Sequence, residues 1–209
     1  MTQKERFVKI RLASSNQGKL REFKELIQDE HYELESVHLP EGVKIPETGT
    51  TFEANAKQKA EGYAKYYPGE WILAEDSGLA VDLLDGAPGV HSARYGGEDL
   101  PYPEKFQLLW SDLKKVNPDP ATWTAAYISC LVLLSPKGDI YTYQGSFEGR
   151  ILNEARGNHG FGYDPIFYVP EYEMTCGEMQ AELKNSMSHR AKAVKAWLED
   201  WEEREVWDE

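Results

Sequence analysis

Apolar positions along the chain switch between two periods. Phe7, Val8, Ile10 and Leu12 form a short run of strand formers that ends at Ala13-Ser14-Ser15-Asn16. Leu20, Phe23, Leu26 and Ile27 then recur at helical spacing, which predicts strand, polar turn and amphipathic helix. Thr50, with Glu53 three residues on, predicts a capping box, and Phe52, Ala56, Ala60, Tyr63, Ala64 and Tyr67 trace one face of the helix behind it. Residues 71–74 read as a buried strand arriving at Glu75-Asp76-Ser77-Gly78. A further helix lies within 101–116, with Phe106, Leu109, Trp110 and Leu113 on one side. Residues 127–134, 140–143 and 147–152 read as successive strands, the first two joined by Ser135-Pro136-Lys137-Gly138-Asp139. Val194, Trp197, Leu198 and Trp201 mark a last helix before an acidic tail. Helices and strands alternate early and strands cluster in the middle, so the expected class is α/β with a mixed sheet. With no repeat or long linker, one domain is expected over residues 1–209.

Composition narrows what such a fold does. Hydrophobic residues make up 41% and charged residues 28% of the chain, values of a folded protein with a real core. Asp and Glu number 36 against 23 Lys and Arg, a formal net charge of -13. That surplus argues against nucleic acid or an anionic membrane as partner, since both reward excess positive charge. The longest apolar stretch, 128–134, is far short of a spanning helix, and residues 1–9 lack the apolar centre of a signal peptide, so the cytoplasm is expected. The two cysteines, Cys130 and Cys176, make a disulfide framework improbable, and Cys130 reads as a buried structural thiol.

Four segments carry candidate chemistry. Ser14-Ser15-Asn16-Gln17-Gly18-Lys19 joins a strand to a helix, where free amides, hydroxyls and one Lys suit a phosphate; alone, it reads first as an ordinary N-cap. Glu75 and Asp76 offer hard oxygen ligands of the kind Mg²⁺ takes, or else a capping turn, and Glu47 ahead of the second helix can complete such a site or simply favour the helix dipole. The loop 157–165 holds three glycines, Phe161 and Tyr163 to stack on a planar base, and Asp164 to accept ring N–H groups; the plainer reading packs the aromatics into the core. Lys184, His189 and Arg190 place positive charge at the start of the last helix, where the dipole gives no reward, so they call for an anion or nearby acidic residues.

Together these segments describe a nucleoside triphosphate pocket. From about Ile10 to Trp197 the chain resembles the inosine triphosphate pyrophosphatase family. The resemblance rests on the Ser14–Lys19 hexapeptide, Glu47-Thr48-Gly49-Thr50-Thr51-Phe52-Glu53-Ala54-Asn55-Ala56, Glu75-Asp76-Ser77-Gly78-Leu79, Gly86-Ala87-Pro88-Gly89-Val90-His91-Ser92-Ala93-Arg94-Tyr95, Phe161-Gly162-Tyr163-Asp164-Pro165, and Lys184 with Ser188-His189-Arg190. It implies an elongated mixed sheet flanked by helices, two lobes with a central substrate cleft, a homodimer, and Mg²⁺-dependent hydrolysis of deaminated purine nucleoside triphosphates to monophosphate and pyrophosphate. Asp76 would be the catalytic base and, with Glu47, a metal ligand. Ser14, Ser15, Asn16, Gln17, Gly18 and Lys19 would hold the triphosphate and Ser77 would touch substrate. Phe161, Gly162, Tyr163, Asp164, Lys184, His189 and Arg190 would hold the base and its neighbouring groups, with Asn55 and Lys59 weaker candidates. The chain departs from the family pattern at Ser14-Ser15, at Glu75, and at Pro46, where relatives often have an acidic residue; Glu47, or failing it Glu41, must then serve the metal. Two other functions fit the same constellation: a nucleotide sensor without hydrolysis, and a pyrophosphatase for other modified nucleotides.

Overall fold

A computed structural model describes residues 8–29 and 31–204; Phe7 and the end of the acidic tail lie outside them. Seven strands are described: β1 (Val8–Ala13), β2 (Tyr32–Val37), β3 (Trp71–Val81), β4 (Thr124–Leu134), β5 (Ile140–Ile151), β6 (Phe167–Val169) and β7 (Met174–Thr175). They form one sheet in the order β2-β1-β3-β4-β5-β6-β7. β1 runs parallel to β2 and β3, whereas β5, β6 and β7 pair antiparallel, so the expected mixed sheet is present. The helices are α1 (Gln17–Leu26), α2 (Phe52–Ala64), α3 (Tyr102–Val116), α4 (Ala181–Asn185) and α5 (His189–Arg204).

Several boundaries differ from expectation for local physical reasons. Thr51, not Thr50, caps α2: its hydroxyl accepts from the Ala54 amide at 3.1 Å. β3 does not stop at Ala74 but continues through Glu75-Asp76-Ser77-Gly78 to Val81, so the two carboxylates lie inside a strand rather than in a turn. The segments 140–143 and 147–152 fuse into one strand, β5, across Gln144, Gly145 and Ser146, and it ends at Ile151 rather than 152. Lys184 belongs to the short helix α4, and the last helix begins at His189. β2 escapes the apolar pattern because half-buried and buried Leu34, Tyr32 and Val37 alternate with glutamates, the charged dress of a strand at a sheet edge.

The chain divides into two compact units. The first takes residues up to Asp76, then Ser129–Gly145 and everything from Arg190 on. In it, neighbouring residues of β3 and β4 face opposite ways. Leu73, Leu131 and Leu133 pack with Ile10, Leu12, Phe23, Trp197 and Trp201, while Ile72, Ala74, Val132 and Leu134 pack with Ala56, Ala60 and Tyr63 of α2. Burial on both faces is why 128–134 reads as an apolar run, interrupted only by Ser129. Cys130 lies buried in that run, as expected, and burial pushes its thiol pKa up to about 12. The second unit comprises Ser77–Ile128 and Ser146–His189. Its core joins Leu79 and Val81 to Phe106, Leu109 and Leu113 of α3, to Trp123, and to Ile166 and Phe167.

In the first unit Trp197 and Trp201 meet edge to face at 5.4 Å and both lie against Tyr32. Trp197→Ala should lower unfolding free energy by about 3–5 kcal/mol in urea titration. Val116→Ala, at a side chain 57% exposed, should change it by less than about 0.5 kcal/mol.

Candidate active site

The first unit gathers the acidic and phosphate-side candidates around β3. Asn16 N-caps α1, its side-chain oxygen accepting from the Gly18 and Lys19 amides at 2.9 and 3.1 Å. Those two amides are therefore already bonded. The plain capping reading holds for Asn16, and what the loop presents is exposed Ser15, Asn16 and Gln17, with Ser14 half-buried behind them. The Ser14 hydroxyl accepts from the Asn16 amide at 3.2 Å. The cap aims the following residue inward: Lys19 Nζ lies 2.7 Å from Glu75 Oε2. Burial, set against the pull of Glu75, holds the Lys19 pKa below its ordinary value.

Glu75 is the centre of this arrangement. Its Oε1 accepts from Ser129 Oγ at 3.0 Å and from Arg190 Nε at 3.1 Å, and Arg190 Nη1 reaches Glu22 Oε2 at 2.6 Å. Arg190 thus finds the acidic neighbours that its place at the head of α5 calls for.

Asp76 has a separate set of partners. Asn55 Nδ2 donates to Asp76 Oδ2 at 3.0 Å, and Asn55 Oδ1 accepts from the Gly49 amide at 2.8 Å, so one buried amide ties the carboxylate to the loop before α2. A Cβ at Gly49 would come within 2.8 Å of that Asn55 oxygen, which accounts for the glycine. One turn along α2 from Asn55, Lys59 Nζ reaches the Glu75 carbonyl at 3.0 Å and Glu47 Oε1 at 2.6 Å. Gln58 fastens the same loop through two bonds to Thr48. Burial raises the Asp76 pKa above the usual carboxylate value, with Lys19, Asn55 and Lys59 acting against it and Glu47 adding to it. For Lys59, burial works downward, but Glu47, Asp76 and Glu75 outweigh it and its pKa rises.

These donors fit a divalent cation of the magnesium type. Among the described residues no three His, Cys, Asp or Glu side chains group as a metal cage. Glu47 and Asp76 supply hard oxygens within electrostatic reach of each other, and Mg²⁺ is held by one or two carboxylates with water and substrate phosphates. Glu47 is ion-paired with Lys59 beside Asp76, while Glu41 is exposed.

The second unit holds the base-side candidates. Asp164 is buried, and its Oδ2 accepts from Lys184 Nζ at 2.6 Å and from the Phe161 amide at 2.9 Å. The Lys184 ammonium also sits 5.3 Å from the centre of the half-buried Phe161 ring. Gly160 adopts positive φ, and a Cβ there would lie 2.0 Å from Asp164 Oδ2. Gly162, also at positive φ, lets the chain turn into the Asp164–Ile166 helical turn. His189 is buried with its ring stacked on Tyr127, and Ser77, next after Asp76 on β3, is half-buried. Tyr163 corrects an expectation. It is buried in the core against Tyr102 and Phe106, and its hydroxyl donates to the Ser92 carbonyl at 2.9 Å, so it cannot stack on a base. Here the plainer core reading wins.

Glu22 and Ser129 in the first unit and Tyr127 in the second join these networks without having been singled out by the sequence. Only Glu22 left a local trace, three residues after Lys19 on α1.

The Ham1 family model matches residues 10–200. The chain belongs to the Ham1 family. The resemblance read from the motifs is thereby borne out. The chain is 45% identical over 193 residues to the dITP/XTP pyrophosphatase of Desulforamulus reducens, covering 92% of this chain and 94% of that one. It is 42% identical to the enzyme of the same name from Listeria monocytogenes, with the same coverage. Among solved structures, a HAM1 protein from Coxiella burnetii superposes with a TM-score of 0.82 at 36% identity, over 94% of this chain and all of that one. The dITP/XTP pyrophosphatase of Bacillus subtilis is 40% identical over 185 residues, 88% of this chain, so the alignment takes in both units.

The Glu75 network makes a stability prediction. Glu75→Ala strips Arg190 and Lys19 of a buried counter-charge and should lower unfolding free energy by roughly 3–5 kcal/mol. Ser129→Ala removes one donor to a charged acceptor and should lower it by about 1.5–3 kcal/mol, both read by chemical denaturation.

Proposed function

We propose that this chain is a nucleoside triphosphate pyrophosphatase that hydrolyses deaminated purine nucleotides (dITP, ITP and XTP) to the monophosphate and pyrophosphate. The observation that carries the reading is a buried aspartate, Asp76, oriented by Asn55 and flanked by Lys19 and Lys59, in a Ham1-family chain whose relatives bear the name dITP/XTP pyrophosphatase. Bound Mg²⁺, held by Glu47 and Asp76, would supply charge neutralisation on the phosphates.

The chain's own residues do the rest. Asn55 tethers one oxygen of the Asp76 carboxylate, which takes the proton of the water attacking the α-phosphorus. Burial strengthens Asp76 as a base relative to an exposed carboxylate. Lys19, paired with Glu75 in the structure, turns its ammonium to the charge that develops on departing pyrophosphate. Ser14 to Gln17 line the approach to it, and Arg190 keeps Glu75 in place. On the base side Lys184 offers a donor to a 6-keto oxygen, where adenine has an amino donor of its own; a donor left unmatched there loses about 1–3 kcal/mol. Phe161 supplies the flat surface, with Asp164 and His189 holding the frame. Rejection of GTP, which shares the keto group, needs a further contact.

The reading carries with it Mg²⁺ as the cation, free nucleotides rather than nucleic acid or membrane as partner, a homodimer, and the cytoplasm as compartment. Among the described residues no helix is long and apolar enough to cross a membrane. Residues 1–209 then work as a single pyrophosphatase domain.

With Mg²⁺, the purified protein should release pyrophosphate from dITP and XTP much faster than from GTP or ATP, and EDTA should stop it until Mg²⁺ is restored. Equal rates on all four nucleotides would remove the substrate assignment. Asp76→Asn should lower kcat by about 10²–10⁴-fold with unchanged Tm, and retained turnover would exclude Asp76 as the base.

A further inference from the structure

Tyr127 of β4 belongs to none of the motifs, yet two of the base-side groups, Asp164 and His189, lean on it. Its hydroxyl donates to Asp164 Oδ1 at 3.1 Å. The other carboxylate oxygen, Oδ2, is taken by Lys184 and the Phe161 amide. Two donors on one oxygen leave a carboxylate able to swing about that oxygen, and a third donor on the second oxygen fixes its plane. The same phenol ring stacks on the His189 imidazole, with centroids 4.9 Å apart and planes 15° from parallel, and on its far partner Phe167 at 4.4 Å and 30°. One rigid side chain therefore sets both the plane of Asp164, and with it the station of Lys184, and the plane of His189.

We infer that Tyr127 is a positioning residue for base recognition: through its hydroxyl on Asp164 and its ring on His189 it holds the groups that meet the purine, without meeting the purine itself. Its side chain is buried in the core of the second unit, with 7% of its surface exposed, too little for a ligand to rest on. Burial and the neighbouring Asp164 charge drive the phenol pKa far up, so the group remains an O–H donor throughout the working range. The inference rests on the proposed purine nucleotide reading, and its test separates the two.

Tyr127→Phe keeps both ring stacks and removes only the hydroxyl; Tyr127→Leu removes the stacks as well. Calorimetric titration of wild type and variants with IMP and, separately, with pyrophosphate reads the base side against the phosphate side. Tyr127→Phe should weaken IMP binding about tenfold and Tyr127→Leu about 100-fold, with pyrophosphate affinity within about twofold throughout. With dITP as substrate, Tyr127→Phe should raise KM by a similar factor and leave kcat nearly unchanged. A purely structural role would lower both affinities together or neither, and either result overturns the inference, as does a wild type that does not bind IMP. If the IMP-specific loss is found but wild type releases no pyrophosphate from dITP, the positioning role stands and the proposed reaction falls.

Discussion

Buried positive charge has to be met by buried negative charge, and the first unit meets it at Glu75. A cation withdrawn from water without a partner loses several kcal/mol of hydration. Lys19 from the first turn of α1, Arg190 from the last helix and Ser129 from a central strand all converge on this one carboxylate. It stands in the middle of a strand that is packed on both faces, so it has little freedom to move. Glu22 takes the remaining demand of Arg190. Segments far apart in the chain are thereby fixed to one point, and Asp76, one residue further along, inherits a fixed position from the same strand.

The second unit solves the same problem with Asp164. The Lys184 ammonium and the Phe161 amide share one of its oxygens, and a glycine at 160 leaves the carboxylate room to lie against bare backbone. The two units thus use one device, a buried carboxylate that stations a lysine. An acidic protein with a net charge of -13 can in this way present cations to an anionic substrate. Total charge governs the long-range field and the solvated surface; the candidate groups within each unit are governed by pairs at less than 3.2 Å.

Much of this was legible along the chain, and the exceptions have identifiable causes. The amphipathic helices α1, α2, α3 and α5 declare themselves because their period is local, and their spacing survives in the packed cores. The order of the motifs was enough to place the chain in its family. The extension of β3 past the carboxylates was not legible, because Asp-Ser-Gly is ordinarily turn chemistry and only pairing within the sheet overrides it. Ser129 lies 54 residues from Glu75, and Arg190 lies 115 from Glu75 and 168 from Glu22, so none of these contacts has a periodic signature. Tyr163 was open to two readings, since an aromatic residue in a glycine-rich loop fits a core as readily as a ligand; its bond to the Ser92 carbonyl decides for the core.

The central claim is that water, activated at Asp76, attacks the α-phosphorus of a deaminated purine nucleoside triphosphate. Hydrolysis of XTP in ¹⁸O-labelled water, with the products resolved by mass spectrometry, tests it most directly. Attack at the α-phosphorus leaves one ¹⁸O atom in the XMP and none in the pyrophosphate. Label in the pyrophosphate, or orthophosphate released in its place, would contradict it.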